Sequence, residues 1–507
     1  MSLSLLVYAS VFLAILWVWA RSHLIPTPIS RIPYNGPARF MPWGDLITLG
    51  IHNWLTGGVF DWLSLQCLKH KSPLIQLFIP SFSTMHTTLV LADLREIEDI
   101  VTRRVGEIDR ADMMHMWFGL VAPRATIGLK SKDAAFKEQR RLWNVVLSPH
   151  FLEEVAAERF HEVAIKLSQL WARKGVIANQ KMAFEAQEDL RMATLDGIWK
   201  MNIGSELGLM NARIARLDGP NAVLKESKER IDFAQSEVPE FYKTLSTLLV
   251  CLDWVMQGIS PRLYTWFFTS TGILARAAKK KDEILNCCIT NSKARVNKGI
   301  GTHVHGATCS LDQVFRKDLS LSKGKNSDSQ AASSSALGDE LLELLITGHE
   351  TTASSIAWAL KFLTDNPDVQ NQLRASLNAA FPNASPSALP LAKELFTASL
   401  PYLDAVIAET LRLSNTGPVS FRQTVVQCNI LGHTIPAGTP IVLVSAGPSY
   451  NSPMMPTTPE NLRSRTSKAA FSRKTISSSL LRQALFQPSD DLGAFRPSRW
   501  IVDGTFD

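Results

Sequence analysis

The sequence predicts a mainly α fold with a small β subdomain, organised around one long helix in the second half of the chain. Apolar residues recur at helical spacing through most of the sequence, and two short runs are rich in β-prone residues. Hydrophobic residues make up 46% of the 507 positions, which is ample for a sizeable core. No Pro/Gly/Ser-rich linker divides the chain before residue 318, so we expect one large domain rather than the roughly three that length alone suggests.

The N-terminal segment has the properties of a membrane anchor. Met1–Ala20 carries no charged residue, and about 20 apolar residues suffice to span a bilayer. Because positive charges follow the segment and none precedes it, we expect residues 1–21 to be a single-pass transmembrane anchor with the rest of the chain cytosolic. A cleaved signal peptide is the alternative, although the positive n-region is missing. Residues 22–40 are rich in proline and are expected to form a stiff hinge, followed by the main domain at 41–507.

The small β subdomain is predicted from two runs near residue 80. Leu74–Ile79 and Thr87–Leu91 are rich in β-branched and apolar residues, and turn residues separate them. A helical pattern begins at Asp93. We expect these strands to pack beside the helices.

The organising helix covers Glu340–Leu360, and it is strongly apolar except in its middle. Ser335, Gly338 and Asp339 precede it as start signals. Its middle is the polar run Thr347–Thr352, whose glycine and paired threonines predict a locally opened helix at a functional site. A glycine there also lets a flat ligand approach the backbone. The alternative is a buried helix whose polar residues satisfy each other.

Basic and acidic residues at helical spacing form two further candidate sites. Arg140 lies on a helix predicted within Ala134–Phe151, where its guanidinium could bind a carboxylate or phosphate; a solvated helical face is the alternative. Glu409 and Arg412 are three residues apart on a predicted helix, so they can pair. A strand–turn–strand pattern that ends near Val444 follows them.

Other segments are predicted with less detail. Residues 152–300 are expected to form successive helices. Asp318–Ala336 is rich in Ser, Lys and Asp, and Pro453–Pro488 is basic and Ser-rich, so we expect a flexible loop and a disordered insertion there.

Charge and cysteine usage exclude some classes of protein. The net charge is +7 without a long basic block, which suits a membrane surface or an acidic partner better than a nucleic acid. The six cysteines form no CxxC pair and match no zinc site, so no metal-binding ligand set is predicted from them and free thiols in a reducing compartment are expected.

The run Thr347-Gly348-His349-Glu350-Thr351-Thr352 resembles the central helix of the cytochrome P-450 monooxygenases, with Thr347 a mild departure from the family pattern. The resemblance implies a haem facing Gly348. It gives Glu350 and Thr351 the catalytic role of delivering protons to the oxygen that the haem activates.

Three other elements, one before this run and two after it, resemble the same family in the same order; in the first of them Phe136 replaces the family's tryptophan. They imply that Arg140 and Arg422 contact the haem propionates. They also imply that Glu409, Arg412 and Arg499 form the family's structural ion triad, since Arg499 lies in a Phe-x-Pro-x-Arg-Trp element. The resemblance covers the chain from the predicted anchor to its last residue.

The resemblance implies a haem-dependent insertion of one oxygen atom into an apolar small molecule. Electrons would come from an NADPH-dependent flavin reductase, and the setting would be the endoplasmic reticulum membrane and a fungal natural-product pathway. The family's Phe-x-x-Gly-x-Arg-x-Cys-x-Gly loop, whose cysteine is the axial ligand of the haem iron, does not occur in the sequence. The alternatives are therefore a truncated, catalytically inactive family member or an incomplete gene model that does not bind haem, and, from another class, a membrane-tethered helical scaffold unrelated to haem.

Overall fold

The structure is a computed structural model that describes residues 8, 26–79, 87–220, 222–257, 261–299, 309–322, 334–385, 388–448, 450–452, 458–472 and 492–506. Within these ranges no helix combines the length and the apolar character that crossing a bilayer requires. The predicted anchor at residues 1–21 lies outside them, except for residue 8. The domain boundaries stay a prediction.

Helices dominate the described chain. In order they are α1 (Leu46–Thr56), α2 (Val59–His70), α3 (Leu94–Arg103), α4 (Asp112–Phe118), α5 (Ala134–Trp143), α6 (Ala157–Ile177), α7 (Gln187–Ile203), α8 (Leu209–Leu217), α9 (Glu240–Gln257), α10 (Pro261–Ser270), α11 (Ile273–Asn297), α12 (Ser310–Ser322), α13 (Ser334–Asp365), α14 (Pro367–Ala380), α15 (Ala392–Thr397), α16 (Pro401–Ser414) and α17 (Arg465–Ser472). Short 3₁₀ or π turns lie at Gly36–Phe40, Thr126–Gly128, Asn144–Leu147, Leu152–Ala156, Glu460–Leu462 and Pro497–Trp500, and a single α-turn at Pro149–Phe151.

The strands form one five-stranded sheet and three two-stranded ribbons. They are β1 (Leu74–Phe78), β2 (Thr87–Leu91), β3 (Ile108–Arg110), β4 (Val223–Glu226), β5 (Ile231–Phe233), β6 (Val419–Thr424), β7 (Cys428–Ile430), β8 (His433–Ile435), β9 (Pro440–Val444), β10 (Ile501–Val502) and β11 (Thr505–Phe506). The sheet order is β1-β2-β9-β6-β3, and only the β2–β9 pair is parallel. The predicted mainly α fold with a small β part is confirmed.

The predicted strands and the helix after them occur where the sequence pattern placed them. β1 and β2 pair antiparallel, and every residue of both strands is buried. The Asp93 side chain accepts the Glu96 backbone N–H at 2.9 Å and so caps α3. Both predictions rest on local signals, which is why they hold.

The described part of the predicted hinge packs on the sheet. The Gln76 amide on β1 donates to the carbonyl oxygens of Ile29 (2.8 Å) and Ile32 (2.7 Å), and it accepts from the Ile29 N–H at 2.7 Å. Ile32 is buried. Hydrogen bonds therefore hold residues 26–32 against the sheet, and the prolines in this segment stiffen it.

The central helix α13 is continuous over 32 residues, so the predicted local opening is wrong. The hydroxyls of Thr351 and Thr352 donate to the carbonyls four residues earlier, at 2.6 and 2.7 Å, and the helix absorbs these bonds without a break. The helix also begins at Ser334, so the residues predicted as start signals lie inside it.

Two segments predicted as irregular are partly helical. α12 extends to Ser322 and α13 begins at Ser334, which shortens the loop predicted at Asp318–Ala336; residues 323–333 lie outside the described chain. Within the predicted insertion, Arg463 donates twice to Asp93, at 3.0 and 2.9 Å, and these bonds anchor the start of α17. The predicted disorder is wrong for Arg465–Ser472, while residues 453–457 and 473–491 lie outside the described chain.

Candidate functional site

The polar run of the central helix lies against helix α7. A Cβ on Gly348 would come within 2.8 Å of Ile198 Cδ1 on α7, so glycine is needed for this close helix contact. The Thr194 hydroxyl, also on α7, donates to the His349 carbonyl at 3.1 Å. The structure thus places the Cβ direction of Gly348 against a neighbouring helix, and a haem facing Gly348 stays a prediction.

Glu350 reaches across the same interface. Its carboxylate lies 3.3 Å from Arg191 Nε on α7 and 3.4 Å from His349 Nε2. The hydrogen bond from His349, together with the charge of Arg191, holds the pKa of Glu350 below its usual value in spite of partial burial. Glu350 is therefore an ionised, half-exposed carboxylate at neutral pH.

Thr351 belongs to a row of hydroxyls along the open side of α13. Thr347, Thr351 and Ser355 follow one another at spacing four, and each hydroxyl donates to the carbonyl four residues earlier. Thr351 itself is exposed. Its oxygen can accept a hydrogen bond from water or a ligand on that side.

The sheet brings together arginines that are far apart in sequence. Arg110 on β3 and Arg422 on β6 are directly opposed in the antiparallel register, and Arg140 on α5 acts electrostatically on Arg110. Arg110 donates to the carbonyls of Thr126 (2.7 Å) and Leu129 (3.1 Å). We call Arg110, Arg140 and Arg422 the arginine cluster.

The arginine cluster has carboxylates nearby but no direct ion pair with any of them in the described chain. Across the described residues no carboxylate forms an ion pair with any of the three, although like charges directly opposed on a sheet are destabilising. Burial lowers the pKa of the Arg110 and Arg422 guanidiniums; the charge of Arg110 adds to this at Arg422, whereas at Arg110 the charges of Glu343 and Asp109 act in the opposite direction. An anion bound between them would relieve this cost, since guanidiniums bind carboxylates in bidentate geometry.

Two glutamates of the central helix lie beside the cluster. Glu340 accepts the Thr126 N–H (2.8 Å) and hydroxyl (2.9 Å), and Glu343 accepts the Ile127 N–H (2.9 Å). Burial, and next the charge of Glu340, raise the pKa of Glu343 to about 7. These residues carry no family motif, and Thr347, whose hydroxyl donates to the Glu343 carbonyl, connects them to the hydroxyl row.

Glu409 is the centre of a buried network. It is fully buried on α16 and accepts from Arg412 Nε and Nη2, both at 2.8 Å, and from Arg499 Nε at 3.0 Å. The Arg496 N–H and the Trp500 indole N–H add bonds of 2.8 Å each. Burial opposes ionisation, yet the bonds from Arg412 and the other donors hold the pKa of Glu409 below its usual value. The structure thus brings together all three residues of the predicted triad.

Five of the six cysteine thiols are buried or partly buried. Burial raises the thiol pKa to about 12 at Cys67 and Cys309 and to about 11 at Cys288 and Cys428. It also raises the thiol pKa of Cys251. Cys287 is exposed on α11. In the part of the chain that the structure describes, no group of three His, Cys, Asp or Glu side chains is arranged to hold a metal ion.

Sequence reasoning missed three contributors to the site. The role of Arg110 follows from the β3–β6 register, and that of Arg191 from the packing of α7 on α13. The role of Glu340 and Glu343 follows from the fold of the loop before α5. The one signal available in the sequence was the presence of two acidic residues on the buried face of an apolar helix.

The structure brings together the Glu350–Thr351 pair on the central helix, Arg140 near the Arg110–Arg422 pair, and the Glu409–Arg412–Arg499 triad, which are the groupings that the resemblance implied. A model of the Cytochrome P450 family matches residues 79–460. The chain belongs to the cytochrome P450 family.

Similar proteins agree with this assignment. The chain is 30% identical to the cytochrome P450 monooxygenase TRI13 of Fusarium sporotrichioides, over 99% of this chain and 83% of that protein. It is 27% identical to the cytochrome P450 monooxygenase xilC of Penicillium crustosum, over 97% of this chain and 82% of that protein. The crystal structure of the cytochrome P450DA heme domain superposes with a TM-score of 0.62, covering 95% of this chain and 83% of that one at 14% identity, which supports the fold.

The family implies haem as the cofactor, and the described residues fit it in part. The arginine cluster suits the two carboxylates of a haem because its three guanidiniums lie together and none forms a direct ion pair with a carboxylate in the described chain. None of the six cysteines lies in the Phe-x-x-Gly-x-Arg-x-Cys-x-Gly pattern that supplies the iron ligand in the family, so no thiol is assigned to the haem iron.

Proposed function

We propose that this chain is a haem-dependent monooxygenase that oxidises an apolar small molecule in natural-product biosynthesis. The observation that carries the haem part is the arginine cluster, three cations without an ion-pair partner in the described chain. The pathway is supported by the relatives, which are fungal monooxygenases; one of them, from Dothistroma septosporum, is named as part of the Hps1-dma1 cluster.

Arg110, Arg140 and Arg422 would hold the haem carboxylates in this proposal. Haem, when bound, supplies the oxygen-activating chemistry, which a thiolate ligand favours. Arg110 is preorganised for its part, because two backbone carbonyls fix its guanidinium and its face lies 4.4 Å from the Phe136 ring centre. Little side-chain freedom would be lost on binding.

Glu350 and Thr351 would handle protons. Glu350 is ionised and half-exposed, so it can exchange a proton with solvent, and Arg191 fixes its position from α7. The exposed Thr351 hydroxyl donates to the Thr347 carbonyl and can at the same time accept a hydrogen bond from water or a ligand. Glu343 and Thr351 are eight residues apart, about 12 Å along the axis, so the arginine cluster and the proton groups adjoin one stretch of helix.

A membrane setting is supported by exposed apolar side chains. Trp54 on α1 is 84% exposed, and Trp254, Trp266 and Phe267 are exposed on α9 and α10. Aromatic residues of this kind favour the membrane interface. Together with the segment at residues 1–21, they support a single-pass protein of the endoplasmic reticulum with a cytosolic catalytic domain.

An NADPH-dependent flavin reductase is the proposed electron donor, as the family generally requires. Helix α5 exposes Lys137, Arg140 and Arg141, and burial followed by the charge of Arg141 lowers the pKa of Lys317 on α12. An acidic partner surface would be steered to this basic region, with a rate that falls as salt is added.

The competing proposal is a chain that keeps the fold without holding haem iron. It is supported by the sequence setting of the six cysteines, none of which lies in the Phe-x-x-Gly-x-Arg-x-Cys-x-Gly pattern. The reduced, carbon-monoxide-bound absorption spectrum of the full chain separates the two proposals. A thiolate-type Soret band supports the monooxygenase, whereas the absence of any haem band supports the competing proposal.

A further inference from the structure

One loop is held by carboxylates of the central helix. The loop joins α4 to α5 over residues 119–133, and Asp339, Glu340 and Glu343 of α13 each accept one of its backbone N–H groups. The donors are Arg124, Thr126 and Ile127, at 3.1, 2.8 and 2.9 Å respectively. Spacings of one and three residues place these carboxylates over one turn of the helix, so they meet consecutive parts of the loop.

The same loop fixes Arg110. The Thr126–Gly128 turn offers the Thr126 carbonyl to Arg110 Nη1 at 2.7 Å, and the Leu129 carbonyl follows at 3.1 Å. A carboxylate that holds the turn therefore also determines where the Arg110 guanidinium lies. No direct ion pair is needed for this effect.

The charges around the glutamate pair are of both signs. Arg110 from β3 and Arg140 from α5 act on Glu340, and Arg110 acts on Glu343. Asp339 on the same helix is neutralised by the buried Lys281 of α11 at 2.9 Å, and the Arg124 guanidinium lies 3.7 Å from it. Glu340 and Glu343 thus remain as two carboxylates one turn apart, facing the arginine cluster.

In the docked state burial favours a proton on this pair, and this effect outweighs the hydrogen bonds from Thr126 and Ile127, which oppose protonation. Burial, and then the charge of Glu340, raise the pKa of Glu343 to about 7, and burial also raises the pKa of Glu340. A released turn would expose Glu343 to water, where its pKa would return to about 4.3. Because the docked state binds the proton more tightly, docking is strengthened below the docked pKa and weakened as the pH rises through it.

We propose that Glu340 and Glu343 are positioning residues that hold Arg110 in the arginine cluster through the Thr126–Gly128 turn, and that the pair takes up one proton when the turn docks. The link to haem rests on the proposed function, but the docking does not. Protonation also removes a negative charge beside the arginines, so the cluster attracts an anion more strongly in the docked, protonated state.

Hydrogen exchange of the full chain without added haem tests the proposal. Peptides covering residues 124–129 are compared at about pH 6 and about pH 8, after correction for intrinsic exchange. We expect the protection factor to fall by about threefold or more from the lower to the higher pH. Glu343→Gln, neutral at both values, is expected to keep high protection at both, whereas Glu138→Gln, an exposed carboxylate on α5, should behave like the wild type.

Arginine-selective labelling with phenylglyoxal gives a second readout at about pH 8, again without haem. The ratio of Arg110 to Arg141 labelling is expected to be lower in Glu343→Gln than in the wild type, because the turn stays docked. Protection that does not depend on pH, or a Glu343→Gln variant that follows the wild type at both pH values, would overturn the proposal. A failure of haem binding leaves both readouts unchanged and counts against the proposed function alone.

Discussion

Replacing Glu409 by glutamine removes the buried carboxylate that pairs with both Arg412 and Arg499. Five N–H groups point at this carboxylate, four at 2.8 Å and one at 3.0 Å. Glutamine keeps the shape, but its amide nitrogen is a donor and would face other donors. Removing one partner of a buried ion pair costs about 3–5 kcal/mol, because the remaining charge stays buried.

Glu460 offers a matched control on the surface. Its carboxylate also binds an arginine in bidentate geometry, with Arg95 Nη1 and Nη2 at 2.8 and 2.7 Å, but its side chain is 54% exposed. Solvent screens this pair, so Glu460→Gln is expected to cost less than about 1 kcal/mol. The two sites share a bidentate arginine, but Glu409 is buried and accepts three further N–H bonds, so the contrast measures the buried network against an exposed pair.

Urea-induced unfolding, followed by far-ultraviolet circular dichroism, measures the free energy of unfolding of each variant. The slopes of free energy against urea concentration are compared to exclude a change in the unfolded state. We expect the loss at Glu409 to exceed the loss at Glu460 by at least about 2 kcal/mol. Equal losses would refute the claim that burial makes the Glu409 network important for stability.

Three further outcomes are expected. Gly348→Ala should destabilise the fold by about 1–2 kcal/mol, because the added methyl group overpacks against Ile198. In a double-mutant cycle, Ile198→Ala should offset part of this loss. Additive effects of the two substitutions would contradict the close contact. Hydrogen bonds lower the pKa of Glu409 in the folded protein. The stability that ionised Glu409 contributes is therefore fully present above its pKa in the unfolded chain, and it is lost as the pH falls through its pKa in the folded protein. The urea midpoint should accordingly fall more steeply with acid in the wild type than in Glu409→Gln. In haem-loaded protein with reductase, Thr351→Ala should uncouple NADPH oxidation from product formation while Thr351→Ser retains coupling; unchanged coupling in the alanine variant would remove Thr351 from proton delivery.

Local patterns in the sequence predicted the elements that local forces determine. The apolar periodicity of α13, the cap at Asp93 and the three-residue spacing of Glu409 and Arg412 depend on neighbours in the chain, and the structure contains all of them. The ordered motifs then placed Arg499 near Glu409, a contact that spacing alone does not predict.

Features that depend on long-range packing were missed or misassigned. Gly348 is explained by the approach of Ile198 from another helix, and the threonine bonds that were expected to open α13 are accommodated within it. The opposition of Arg110 and Arg422 follows from a register between strands more than 300 residues apart. Such pairings become visible only when the chain is folded.

Equilibrium titration with hemin, followed by absorbance, tests the role of the arginine cluster most directly. Arg110→Gln and Arg422→Gln should each weaken hemin binding by about tenfold to hundredfold, the value of a charge-assisted hydrogen bond. Arg141→Gln, exposed on the same helix as Arg140, should leave the affinity unchanged. Equal affinities for the wild type and both cluster variants would contradict the assignment of these arginines to the haem carboxylates.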